Sequence, residues 1–131
     1  GQTADGVRVW DVRRAIQALR LIEPTAGAPV TVVAHRDMAG IALYASLFEP
    51  GIGQLDLTEL PTTHAQGPTF LNVLRFLDVP QAVALAAERT DVLVRGDSDA
   101  AWAFPRSVVT SLKWDGERFH VEGGRESPPA Q

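Results

Sequence analysis

An α/β fold, with a four-stranded, mostly parallel sheet flanked by helices, is what this sequence predicts. Three observations carry the prediction. Stretches with apolar residues at three- and four-residue steps alternate with short runs that are β-branched or of period two. Clusters of glycine, proline and aspartate separate them. At 131 residues, with 45% hydrophobic and 21% charged side chains, the chain has the composition of a single globular domain with one core.

The elements follow in order. Val9, Val12, Ile16 and Leu19 recur at helical spacing from Val7 onward, with Arg8, Asp11, Arg14 and Gln17 between them. The breaker cluster Glu23–Pro29 ends that helix. Val30–Ala34 is an unalternating, β-branched apolar run, the pattern of a parallel strand covered on both faces. It is expected to be the buried centre of stability. His35-Arg36-Asp37 interrupts it, and Met38–Phe48 resumes the helical period. Pro50–Gly53 is a turn. The alternation from Gln54 to Leu60 reads as a strand, and Pro61–Pro68 as a loop carrying His64. Thr69–Leu77 and Pro80–Ala87 read as two helices, the second opened by its proline. Asp91–Arg95 is a short strand ending in Gly96-Asp97-Ser98-Asp99, and Pro105–Leu112 is a helix. Trp114-Asp115-Gly116 is a turn before a last strand, Arg118–Glu122. Residues 1–123 form one domain on this reading, and residues 124–131, with Pro128-Pro129, a flexible tail.

Composition narrows the function. With 12 basic against 16 acidic side chains and a net charge of −4, the chain lacks the electrostatic footprint of a nucleic-acid binder. No apolar run reaches the ~18–20 residues of a membrane span, so no membrane is expected as a partner. No leader of charged then apolar residues is read at Gly1. The absence of cysteine excludes disulfides and thiolate zinc sites. No His-x₃₋₅-His or His-Glu-x-x-His phrase and no glycine-rich phosphate loop occurs. Neither a metal nor a cofactor is expected. In open parallel sheets, ligands bind beyond the carboxyl ends of the strands. The loops to watch are therefore His35–Ala39, Glu59–Pro68, Gly96–Phe104 and the residues after His120.

The order of elements resembles the C-terminal half of an α/β-hydrolase. The matching pieces are Val30–Gly40, Ala86–Arg89 leading into Asp91–Val94, and Gly96-Asp97-Ser98-Asp99 with Pro105. The likeness is closest to the branch of acetyl xylan esterases, dienelactone hydrolases and prolyl oligopeptidases, with Ala87-Glu88-Arg89-Thr90 standing where that branch has an Ala-Pro-Arg-Pro-like phrase. In the family a serine sits in Gly-x-Ser-x-Gly at a strained turn between strand and helix. The pattern laid on His35-Arg36-Asp37-Met38-Ala39 puts Asp37 at the nucleophile position. The resemblance then implies Asp99 as the triad acid, with Asp97 as its neighbouring substitute, and His120 as the histidine, 120 − 99 = 21 positions downstream.

Each candidate has a plainer reading. Asp37 caps the helix that follows it, or acts as an alkyl-ester-forming nucleophile of the dehalogenase and epoxide-hydrolase type. Asp99 satisfies its own turn. His120 lies inside a strand, where packing and surface histidines are commoner than bases. His64 is a loop residue able to approach Asp37, His35 orients the turn or caps the strand, and Trp102 lines a pocket or anchors its loop.

Missing the serine hydroxyl, the chain is expected to lack serine-type catalysis. An ester or carbohydrate-ester substrate is expected only in a longer parent, since a complete hydrolase sheet has about eight strands and 200 or more residues. With four strands, Val30–Ala34 becomes an edge without charge or proline, which invites pairing with a second copy.

Overall fold

The computed structural model describes residues 3–96 and 99–123. The tail from residue 124 and the substitute acid Asp97 lie outside the described residues. Four helices alternate with four strands: α1 (Ala4–Leu19), β1 (Val30–His35), α2 (Asp37–Phe48), β2 (Ile52–Thr58), α3 (Val79–Ala87), β3 (Asp91–Arg95), α4 (Ala103–Ser111) and β4 (Phe119–Glu122). The strands form one sheet in the order β1-β2-β3-β4, and every pair is parallel.

Local sequence explains most boundaries. Thr3 caps α1, accepting a hydrogen bond from the Gly6 N–H at 3.1 Å, so the helix starts before Val7. Asp78 and Gln81 form a reciprocal capping box at α3, with Pro80 in its first turn. The expected helix Thr69–Leu77 is reduced to a single 3₁₀ turn, Val73–Arg75, because Asn72 takes the left-handed conformation at φ 58° and interrupts the helical path. Asp99–Trp102 forms another 3₁₀ turn leading into α4.

A sequential order with crossovers of one hand lays successive helices on the same face of the sheet. That face carries Val32, Ala34, Leu55, Leu57, Val92, Val94, Phe119 and Val121 in register, and α2, α3 and α4 pack side by side over it. Leu55 and Leu57 are wholly buried there, with Val79, Val83 and Ala87 of α3 in the same core. α2 is buried from Ala39 to Ser46, as a helix apolar all round should be. α1 packs on α2. Its Gln17 and Arg20 reach the buried Glu49 carboxylate at 2.8 and 3.2 Å, and Arg13 lies 3.5 Å from it.

No helix among the described residues covers the other face. Thr31, Val33, His35, Gln54, Asp91, His120 and Glu122 are exposed on it, and Asp56, Thr58, Leu93 and Arg95 half-exposed. Arg95 bridges it, bound to Asp56 through two nitrogens at 2.9 and 3.2 Å and to Glu122 on its other side. The expectation that Val30–Ala34 is buried between helices is thereby corrected. β1 is an edge strand whose residues alternate between half-buried and exposed, and Val33 is 73% exposed. The apolar run records β-propensity at that edge, not cover on two sides.

Candidate functional site

The strand ends of β1, β2 and β3 open onto a cleft of about 420 Å³ whose lining includes Arg36, Asp37, Glu59, Thr62, Gln66 and Trp102. Its centre is the turn from β1 into α2. There Arg36 adopts φ 54°, ψ −126°, a sparsely populated conformation that costs a non-glycine residue about 1–3 kcal/mol. Backbone hydrogen bonds at both its N–H and its carbonyl hold it. The Arg36 N–H donates to the Thr58 carbonyl at 2.9 Å, and the Arg36 carbonyl accepts from the Ala39 N–H at 2.9 Å.

Glu59, just past β2, also has positive φ, 50°, and its N–H donates to the Arg95 carbonyl at 2.8 Å. Its carboxylate receives Arg36 Nε at 2.7 Å and contacts His35 Nε2 at 3.0 Å. The hydrogen bond and charge of Arg36 hold the Glu59 carboxyl below its ordinary range and raise the guanidinium in turn. The cation at the turn is therefore already paired.

The loop after β2 is pressed onto the start of α2. A side chain on Gly40 would overlap the Pro68 ring, and a Cβ on Gly67, at φ +121°, would stand 2.8 Å from Asp37 Oδ1. Asp37 is the first residue of α2. Arg36 holds the cap position with no side-chain cap bond, so Asp37 does not cap the helix. The strained turn residue is thus Arg36, one place before the residue that the Gly-x-Ser-x-Gly register indicates. The helical period reads from Met38, whereas α2 starts one residue earlier, at Asp37, directly after the turn residue.

His64 forms neither a hydrogen bond nor an ion pair with Asp37. It is buried under the loop, with Nδ1 2.9 Å from the Pro68 carbonyl and Nε2 2.7 Å from the Tyr44 hydroxyl. A carbonyl only accepts, so Nδ1 donates, and the tyrosine hydroxyl donates to Nε2. Burial pushes the Tyr44 hydroxyl well above its usual pKa, and the charge of Asp78 adds to this, which keeps it a donor. Tyr44, His64 and Phe70 form one aromatic cluster. This is the arrangement of a loop anchor.

Asp99 and His120 are each engaged elsewhere. Asp99 is bound by Arg106 through both guanidinium nitrogens on the α4 side. His120 projects from the open face and lies 3.0 Å from Glu117. β1 and β4 are opposite edges of the sheet, about 14 Å apart at the usual strand spacing. Asp37, Asp99 and His120 are not brought into one relay. Trp102 is 1% exposed; it closes the base of the cleft as a packed anchor. Among the described residues, no group of three metal-ligating side chains is gathered, and no helix is long and apolar enough to cross a membrane.

Arg36 and Glu59 are the residues that sequence reasoning passed over. Their positive φ is invisible in residue type, since neither is glycine or asparagine. What the cleft offers chemically is a neutralised ion pair, amide and hydroxyl groups from Gln66 and Thr62, and the exposed Asp37 carboxylate. The turn itself presents no hydroxyl or thiol. No family model, curated protein or solved structure matches the chain.

Proposed function

We propose that this chain is an α/β-hydrolase-like domain of the acetyl xylan esterase type that carries out no serine-type catalysis and serves as a non-catalytic module. The observation that carries the reading is the turn at Arg36. Hydrolases of that class place their nucleophile on a strained turn between strand and helix, above the sheet. Here a turn of that kind, at φ 54° and ψ −126°, holds a guanidinium bound to Glu59. An arginine cannot attack an acyl carbon, and its guanidinium is held in an ion pair with Glu59. An ester or carbohydrate-ester substrate belongs, on this reading, to a longer parent.

The test is hydrolysis of p-nitrophenyl acetate by the chain, by Asp37→Ala and by Arg36→Ser. The chain and Asp37→Ala are expected to match the buffer rate. Turnover that vanishes in Asp37→Ala overturns the reading in favour of an aspartate nucleophile, and a haloalkane probe then leaves its alkyl mass on Asp37. Turnover that survives Asp37→Ala and vanishes in Arg36→Ser places chemistry at the turn and also overturns it.

A module without chemistry acts through its surfaces. The free edge of β1 is the surface this reading assigns to a protein partner, a strand taken up alongside Val30–His35.

A further inference from the structure

We propose that β1 pairs antiparallel with β1 of a second copy of this chain, about a two-fold axis at Val33, so that the two four-stranded sheets become one. The proposal rests on the reading of β1 as a free edge given above.

Among the described residues, β1 has a neighbouring strand on one side only. The Arg36 N–H points to β2, where it meets the Thr58 carbonyl. Backbone groups of successive strand residues point to opposite sides, so Val32 and Ala34 share that direction. Thr31, Val33 and His35 therefore aim their N–H and C=O groups outward. Such a row is satisfied by an extended backbone. Nothing in Val30–His35 blunts it, since the strand contains neither proline nor lysine.

The register and the charges select a second copy. Antiparallel pairing centred on Val33 sets Val33 against Val33 and Thr31 against His35, so every outward residue exchanges both of its hydrogen bonds. Val32 then lies opposite Ala34, which keeps the helices of both copies on one side of the joined sheet. A centre at Val32 sets His35 against Pro29, which has no N–H to give. No Asp, Glu, Lys or Arg lies within β1. In the Val33 register Arg36 falls opposite Val30, and Asp37 opposite Pro29. No like charges meet across the axis.

The pairing also covers apolar surface. Val33 is the most exposed of the large hydrophobic side chains in the sheet. Beside it runs a groove of about 590 Å³ whose lining includes Val12, Val32, Met38 and Ala42 with the polar His35 and Thr58.

Val33→Lys and Val33→Glu, each alone and then mixed in equal amounts, test the register, because residue 33 meets itself. Molar mass is read by light scattering over a concentration series, with hydrogen exchange at Thr31, Val33 and His35. The exposed site leaves folding intact, which far-UV circular dichroism checks. The chain is expected to double its mass as concentration rises. Each variant alone is expected to associate at least about tenfold more weakly, and the mixture to regain dimers through the Lys–Glu pair. A monomer with fast exchange at those three amides overturns pairing between copies and leaves the edge free for another strand. A monomer with the amides protected overturns the free-edge reading as well. A dimer that survives both substitutions unchanged overturns the register and the proposal with it.

Discussion

Leu57→Ala and Val33→Ala remove apolar atoms from two strands that stand side by side, and the structure assigns them very different costs. Leu57 is 0% exposed and lies in register between Ala34 and Val94 on the helix-covered face. Truncation there loses the transfer free energy and leaves a cavity that the surrounding α2 and α3 side chains cannot fill, about 2.7–5 kcal/mol. With a urea slope of about 1–3 kcal/mol/M for a domain of this size, the midpoint falls by roughly 1–5 M. Val33 is 73% exposed. Its two lost carbons, about 1.6 kcal/mol if fully buried, are only about a quarter buried, so the cost is about 0.4 kcal/mol. Val32, half-buried on the covered face, falls between, at about 1 kcal/mol. The assay is urea unfolding followed by far-UV circular dichroism, at a protein concentration low enough to keep the chain monomeric. A Val33→Ala loss above about 2 kcal/mol, or one equal to that of Leu57→Ala, refutes the open face. A Leu57→Ala loss below about 1 kcal/mol refutes the placement of the core.

Two further outcomes follow from the loop that overlies α2. Burial pushes the Asp78 carboxyl up, but hydrogen bonds from the Thr63 hydroxyl and the His64 and Val79 N–H groups outweigh it and hold the group below its ordinary 3.8. A depressed folded pKa stabilises above the unfolded value, and the benefit is lost as pH falls through the folded one. Asp78→Asn is therefore expected to cost about 1–3 kcal/mol near neutral pH, with the difference from the unsubstituted chain shrinking below about pH 4; a pH-independent difference in unfolding midpoints refutes the assignment. Gly67→Ala places a side chain at φ +121° and 2.8 Å from Asp37 Oδ1. It is expected to lower stability by about 1–3 kcal/mol; adding Asp37→Ala clears the oxygen but not the backbone strain, so thermal unfolding recovers only in part.

The fold was more legible than the site. Val30, Gln54, Asp91 and Arg118 each open runs whose local chemistry survives into the strands β1 to β4, with ends shifted by a residue or two. The open face was legible too, in Gln54-Leu55-Asp56-Leu57-Thr58 and in Phe119-His120-Val121-Glu122, where polar residues alternate with the core. Val30-Thr31-Val32-Val33-Ala34 pointed the other way, because a β-branched residue suits any pleated strand whether or not its outer face is covered. Thr69–Leu77 misled for a different reason: its apolar spacing is helical, but Asn72 breaks the backbone path, and residue type only permits that conformation without demanding it.

At the cleft, helical period placed the start of α2 within a residue, and that single residue decides which side chain occupies the strained turn. The choice of Arg36 over Asp37 is made by the β1–β2 ladder. The bond from the Arg36 N–H to the Thr58 carbonyl carries the strand through His35 before the chain turns. His64, Asp99 and His120 were readable as candidates because their side chains are capable of chemistry, and their partners, Tyr44, Arg106 and Glu117, come from packing and local turns that no motif encodes.

What the sequence determined by itself is the alternation of helix and strand, the single core and the acidic surface, because periodicity, turn residues and charge act locally. That helices cover one face of β1 and not two, and which residue bears the strain at the turn, were decided by the tertiary structure alone. Those depend on hydrogen bonds and helix packing between segments far apart in the chain, and such pairings leave no mark on residue type.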